Sequence, residues 1–334
     1  MANKINNFID NNMTDSTNSL IDLLKINDIN ENLDENPVKN SLYYSDIQLK
    51  NNLQKKNNPF SILSLNCQSI NAKFDEILVL LNQLNQQKKI SVICLQETWL
   101  NTDSNTLLYN IPNYNMISQP SKCSRHGGLI TYIHEDLNYK LINNIKNNNS
   151  NLWESQLIEI KLKNNKTIIG NIYRPPNQLT ANLHIFIEEF TQTLTDLNKT
   201  KSRKYLCGDY NINLLKISEN QNYNNYFDNI ISNGFSPTIT LPTRLSNRSS
   251  TLIDNIFTNR SNGNHTAGIL TNQISDHQPI FIYTEQSFQK VHSPKYITVR
   301  NINPKTIEAF QKDLNHINTY DLLDKNLHSD PNEN

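Results

Sequence analysis

Only 7 of the 334 residues are glycine, so most tight turns in this chain need another residue that tolerates positive φ. Asparagine, in which the chain is rich, serves that purpose. An excess of charge of either sign is missing too. With 31 lysines and arginines against 31 aspartates and glutamates, nothing draws the whole surface to a phosphate polymer, and a nucleic-acid contact has to come from a local basic patch. Cysteine is limited to Cys67, Cys94, Cys123 and Cys207, with no Cys-x-x-Cys pair. That scatter argues against zinc or a disulfide framework and for buried, reduced thiols. There is no signal-peptide core, and no window approaches the ~18 apolar residues of a membrane span. A soluble intracellular protein is expected rather than a secreted one, and triplets such as Asn198-Lys199-Thr200 are chance sequons of an Asn-rich chain.

What is present is a hydrophobic fraction of 36%, enough for one large domain with tails. Residues 1–57 are polar and Asn-rich and are expected to be mostly disordered, because they bury too little to offset ordering entropy. Residues 58–285 alternate strands and helices. Residues 286–334 are polar again, a linker-like tail in which Ile307, Phe310 and Leu314 predict a short helix after Pro304. Within the central part, a strand at 61–65, an amphipathic stripe over Phe74, Ile77, Leu78, Leu81 and Leu84, and a strand at 91–95 predict a parallel pair. Runs at 114–118, 128–133, 153–162 and 167–173 follow with little helix between them, the last two joined at Asn164-Asn165, and predict an antiparallel sheet. A second stripe over Leu183, Phe186, Ile187, Phe190, Leu194 and Leu197 carries an exposed His184. It leads to a strand at 205–207 and a helix around Tyr226, Phe227, Ile230 and Ile231, before strands at 252–258 and 280–283. The expectation is an α/β fold of two mixed β-sheets stacked face to face with helices outside.

Chemistry is concentrated where the apolar runs end. Ile274-Ser275-Asp276-His277-Gln278-Pro279 sets an acid and an imidazole at the mouth of a buried strand, which costs several kcal/mol unless they are paired or bound. Leu65-Asn66, Gln96-Glu97-Thr98 and Gly208-Asp209-Tyr210-Asn211 are similar polar islands, so strand ends are expected to converge on one rim. A lone carboxylate such as Glu97 suits Mg²⁺, which takes one or two carboxylates and leaves the rest to water and phosphate. Asp209 is a candidate base, Asn66 and Asn211 are neutral donors to phosphate oxygens, and His277 can donate where charge develops, with Asp254 behind it. The ensemble fits metal-assisted phosphoester hydrolysis. Each island taken singly also fits an Asx-turn or a helix cap.

The ordered series Leu65-Asn66, Gln96-Glu97-Thr98-Trp99, Tyr173-Arg174-Pro175-Pro176, Gly208-Asp209-Tyr210-Asn211, Ile253-Asp254-Asn255-Ile256-Phe257 and Ser275-Asp276-His277 resembles the endonuclease/exonuclease/phosphatase superfamily. Arg125-His126-Gly127-Gly128, Tyr173-Arg174-Pro175-Pro176, Pro242-Thr243-Arg244 and the stretch from Thr251 to Asn259 narrow the likeness to the apurinic-type endonuclease domain of non-LTR (LINE-type) retrotransposons. The resemblance implies a deoxyribonuclease-I-like four-layer α/β sandwich and a Mg²⁺-dependent (or Mn²⁺-dependent) DNA-nicking enzyme. It implies that Glu97 holds the metal, Asp209 activates water, Asn66, Tyr173 and Asn211 contact the scissile phosphate, and His277, backed by Asp254, stabilises the transition state. Asp276 would be a metal or orienting carboxylate. Arg125, His126, Arg174, Arg244 and Arg248 are the expected DNA contacts.

Two departures matter. Leu65-Asn66-Cys67-Gln68 lacks the acid that DNA-repair apurinic endonucleases carry two positions after the asparagine, leaving neutral Gln68 there. His126 stands where many retroelement domains have glycine. Because no reverse-transcriptase sequence follows, such a module is an expected partner outside this chain, and a DNA substrate implies access to the nucleus as well as the cytoplasm. Two alternatives stay open: a phosphoesterase of the same fold acting on a phosphoinositide, a sphingolipid or RNA, and a non-catalytic DNA-binding relic.

Overall fold

Strand β2 (Pro59–Asn66) is buried at every position, and its alternation sends side chains to two different cores. Phe60 and Ile62 join one cluster, Leu63 and Leu65 the other. A strand apolar on both faces belongs in the middle of a layered fold. The computed structural model describes residues 41–86, 88–121, 126–142, 152–162, 165–176, 180–245, 249–260, 265–287 and 304–316.

Ahead of β2 come β1 (Leu42–Tyr44) and α1 (Asp46–Gln54). After it run α2 (Ile70–Leu84), β3 (Val92–Gln96), β4 (Tyr114–Gln119), β5 (Leu129–His134), β6 (Asn138–Leu141), β7 (Glu154–Lys161) and β8 (Lys166–Tyr173). Then follow α3 (Thr180–Asn198), β9 (Arg203–Asp209), α4 (Gln221–Ser232), β10 (Ser236–Pro237), β11 (Arg244–Leu245), β12 (Ser250–Thr251), β13 (Asp254–Thr258), β14 (His265–Leu270) and β15 (Ile280–Ser287). Helix α5 (Pro304–His316), the short helix expected after Pro304, lies in a separate unit, residues 292–334.

A seven-stranded sheet has the order β1-β14-β15-β2-β3-β5-β4, a six-stranded sheet the order β10-β13-β9-β8-β7-β6. Both are mixed. The expected parallel pair is β2 with β3, in register from Ile62 opposite Val92 to Asn66 opposite Gln96. Its counterpart in the second sheet is β8 with β9, and the crossovers are α2 and α3, as parallel neighbours require. The sheets meet through the first core, and α2 covers the outer face of the larger sheet with Ile77, Leu80, Leu81 and Leu84. Two stacked sheets with helices outside match the expected architecture. No helix among the described residues is long and apolar enough to cross a membrane. Cys67, Cys94 and Cys207 are buried free thiols, and Cys123 lies outside the described residues.

Two expectations are corrected. The runs between 114 and 173 do not form one antiparallel sheet: β4 and β5 pair in the larger sheet, β6, β7 and β8 in the smaller. Alternation reports that a strand is half-buried or buried, not which sheet receives it, and the chain changes sheet after β5. The short strand β6, exposed along its length, and β14 also escaped the hydrophobic pattern.

The second correction moves the start of the ordered fold from 58 to at least 41. Strand β1 pairs in parallel with β14, Leu42 opposite Gly268. Helix α1 opens with a capping box in which Gln48 N–H donates to Ser45 Oγ (3.2 Å) and Ser45 N–H to Gln48 Oε1 (2.8 Å). It buries Leu49 and Leu53, one turn apart, in the core under α2. Two leucines in an Asn-rich stretch are too dilute for composition to register, but a capped helix needs little more than such an i,i+4 pair to dock. Residues 1–40 lie outside the described residues. Leu53→Ala is expected to destabilise the protein by about 2–4 kcal/mol, read from urea unfolding; an unchanged midpoint would return this segment to the disordered tail.

Candidate active site

The islands meet because four neighbouring strands of the smaller sheet end in register. Asp254 on β13 stands opposite Asp209 on β9, Tyr173 on β8 stands beside Asp209, and Glu154 on β7 stands opposite Tyr173. From the larger sheet, the parallel ends of β2 and β3 bring Asn66 and Gln96 abreast, with Glu97 one residue on.

Asn66 links the two sheets at this rim. Its amide oxygen accepts from Gln68 N–H (3.2 Å), so its Nδ2 faces the acids, donating to Glu97 Oε1 (2.7 Å) and Asp209 Oδ2 (2.9 Å). An amide suits this position because an acid would set a third negative charge between two carboxylates. Asp209 also accepts from the Asn211 backbone N–H (2.9 Å) and Asn211 Nδ2 (3.0 Å). His277 Nδ1 lies 3.0 Å from both oxygens of Asp254 and 3.9 Å from Asp209 Oδ2. Thr243 Oγ1 donates to Asp254 Oδ2 (2.6 Å), and Ser275 Oγ donates to Asn66 O (2.7 Å) and receives the His277 N–H (3.1 Å). The imidazole is thus oriented from its ring and from its backbone.

Burial, and then the adjacent Asp254 carboxylate, push Asp209 up to about 7. For His277 burial acts downward, but the charges of Asp254 and Asp209 outweigh it and hold the imidazole up at about 9. At neutral pH the centre therefore contains an imidazolium and a carboxylate poised to gain or lose a proton, a matched acid and base. Tyr173 is held well above the ordinary phenol range by burial, by the Glu97 and Asp209 charges and by the contact of its hydroxyl with the Glu97 carboxylate.

Backbone strain gathers at the same rim. Gln68, Ser69, Glu97, Trp99 and Asn211 all have φ between +47° and +87°, a region costly for residues with a Cβ and concentrated at functional sites. Gly128, at φ +81°, donates its N–H to the buried Glu154 Oε2 (2.6 Å).

Of the residues expected from sequence, Asn66, Glu97, Tyr173, Asp209, Asn211, Asp254 and His277 come together. Asp276 sits beside them, but its Oδ2 is engaged by Arg244 (Nε 2.7 Å, Nη2 2.6 Å), while its Oδ1 is 3.8 Å from His277 Nε2. Arg244 is thereby fixed at the mouth, where its backbone also bridges to that of His277. His126 is exposed on the loop before β5. Arg125 and Arg248 lie outside the described residues. Arg174 is a correction: it is buried, stacks 5.4 Å over Phe186, and donates to the Tyr210 (3.3 Å) and Asn211 (3.2 Å) carbonyls, so it braces the Asp209 loop and does not reach DNA. An arginine beside two prolines reads as surface loop; only the packing of α3 against β9 makes it internal. Thr243, Ser275 and Glu154 were missed as orienting groups, although Thr243 and Ser275 stand inside the motifs themselves.

The donor set fits a divalent cation. Glu97, Asp209 and Asp254 supply carboxylate oxygens, the last two from buried side chains. One ligand atom each from Asp209, Asp254 and His277 falls within 4.8 Å of the others; Glu97 stands outside that group, joined to Asp209 through Asn66 Nδ2, and the Glu97 and Asp209 carboxylates are the hard oxygen donors that suit Mg²⁺-like ions.

Comparison with known proteins bears on the family and the fold. The profile of the Endonuclease/Exonuclease/phosphatase family matches residues 63–277. Among solved structures, the Xenopus laevis APE2 catalytic domain is similar at 17% identity and a TM-score of 0.57, over 72% of this chain and 98% of that one. The endonuclease domain of TRAS1, a telomere-specific non-LTR retrotransposon, is similar at 12% identity and 0.54, over 70% and 100%. The AP endonuclease LMAP from Leishmania major is similar at 13% and 0.56, over 81% and 98%. At such identities the likeness is one of fold. No curated protein sequence matches this chain. The family match spans more than half of the chain and ends on His277, the residue on which the acid–base set closes, and the chain therefore belongs to the endonuclease/exonuclease/phosphatase family, hydrolases acting on ester bonds.

Proposed function

We propose that this protein is a Mg²⁺-dependent endonuclease that nicks DNA, of the kind found in non-LTR retrotransposons. The observation that carries the reading is the buried His277–Asp254 pair set against Asp209, itself held by Asn66 and Asn211. Asp209, raised toward neutrality, takes the proton of the attacking water. The His277 imidazolium donates from Nε2 to the phosphoryl oxygen as charge builds there, and Asp254 keeps the ring charged and in place. Asn66 and Asn211, whose amide N–H groups are taken by Glu97, Asp209 and the Arg174 carbonyl, orient Asp209 rather than the phosphate, and the Tyr173 hydroxyl meets the scissile phosphate. Glu97 would hold the metal, with Asp276 acting as an orienting carboxylate through Arg244 and His277. When bound, the cation would supply Lewis-acid stabilisation of the charge that develops at the reacting phosphate. Arg244 and His126 at the rim contact the DNA backbone, and Arg125 and Arg248 remain in that role on sequence alone. A reverse-transcriptase module would be the functional partner of a target-site nick.

The test is conversion of supercoiled plasmid to open circle. Mg²⁺-dependent nicking is expected, abolished by chelator and lowered roughly 100-fold or more in Glu97→Ala. A folded protein that cleaves a phosphoinositide or an RNA tail but not plasmid would move the reading to another phosphoesterase of this fold, and one that binds duplex without turnover on any substrate would move it to a relic.

A further inference from the structure

Trp99 is a large apolar side chain left 44% exposed beside a centre whose other groups are mostly buried. It is not loose. Its backbone sits at φ +58°, strained for a residue with a Cβ, and its N–H donates to Gly127 O (3.0 Å). Its indole N–H donates to Glu97 Oε2 (3.2 Å). Gly127 is itself at φ +85°, with the Glu154 carboxylate so close beneath that a Cβ there would lie 2.7 Å from Oε1. A strained loop and a glycine loop thus hold one partly exposed indole next to the carboxylate assigned to the metal. The 44% of Trp99 that stays exposed adds little to folding.

We propose that Trp99 packs its indole face on the base flanking the scissile phosphate and is a DNA-positioning residue. The inference rests on the nicking reading above. In a duplex the bases already stack on one another, so the indole has to wedge into the step beside the scissile phosphate and open it; the contact then contributes affinity and register without sequence readout. The edge of the indole stays on Glu97, which couples the position of the base to that of the metal ligand.

The chain has two tryptophans, and the other, Trp153, is 1% exposed, packed edge-on against Phe186 and Phe190 with its N–H on Glu189. A DNA-induced change in indole emission therefore reports Trp99. Titrating a short duplex into Asp209→Asn protein with Mg²⁺ is expected to quench the emission, and adding Trp99→Phe is expected to remove the quench. By anisotropy of a labelled duplex, Trp99→Ala in this background is expected to bind roughly 10- to 100-fold more weakly, with Trp99→Phe close to the parent because it keeps a ring. Binding without quench, no binding of duplex at all, or Trp99→Ala binding like the parent overturns the proposal. Trp99→Phe binding as weakly as Trp99→Ala also overturns it, since the lost N–H would then be the cause and Trp99 would serve only to orient Glu97. Quench and ring-dependent affinity in a protein whose wild type nicks no DNA would uphold this contact and remove the nicking reading; normal nicking in Trp99→Ala without quench in the parent would do the reverse.

Discussion

Asp209→Asn is expected to lower the nicking rate by about 10³-fold or more while leaving the fold intact. The substitution keeps the shape and removes only the ability to take a proton. It also sets an amide against neighbours arranged for a carboxylate: Asp209 Oδ2 receives Nδ2 of both Asn66 and Asn211. Asn66 cannot turn its oxygen toward the new amide without turning it toward Glu97 as well, because Nδ2 serves both acids. The lost hydrogen bonding is offset by the removal of a buried carboxylate that Asp254 repels, as the rise to about 7 reflects. Thermal unfolding is therefore expected to stay near that of the wild type or move upward. Plasmid nicking beside a melting curve separates the two effects; wild-type turnover in the variant would remove Asp209 from the mechanism.

Gly208→Ala carries the largest expected effect on stability, above about 4 kcal/mol, so that little folded protein forms. Gly208 has φ +153°, and a Cβ there would sit 1.8 Å from Ile172 O and 2.7 Å from Ile172 C, both backbone atoms of the paired strand. No rotamer change relieves a contact with main chain. The only escape is to part β9 from β8 at the point where they deliver Asp209 and Tyr173 abreast. Soluble yield and far-UV circular dichroism read the outcome. A variant of wild-type stability would mean that the close approach of these strands does not hold the site.

Much of the site was legible because the chemistry is written at strand ends. A polar island after an apolar run marks a place where a buried strand reaches a rim, and Asn66, Glu97, Asp209 and His277 were all found that way, with Asp254 named as the acid that His277 needs behind it. Their mutual contacts were not legible. Asn66 and Asp209 are 143 positions apart and bond directly, a pairing no local pattern encodes. Arg174 shows the limit from the other side: the same motif that marks a rim loop also contains a residue that burial under α3 turns into a brace. The segment at 41–57 was missed because two buried leucines and a capping box do not alter composition, whereas docking on β14 and α2 makes them part of the core.

By itself, the sequence determined the strand and helix periods, the parallel β2–β3 unit and which polar residues stand at the strand ends, because alternation, helical spacing and the cost of burying unpaired polar groups are local constraints. The tertiary structure alone decided which sheet each middle strand joins, which arginine is buried, how Thr243 and Ser275 orient the Asp254–His277 pair, and where protons sit between Asp209 and His277. Those depend on distances between residues far apart in the chain, and the burial and electrostatic energies that set them exist only once the two sheets close over one another.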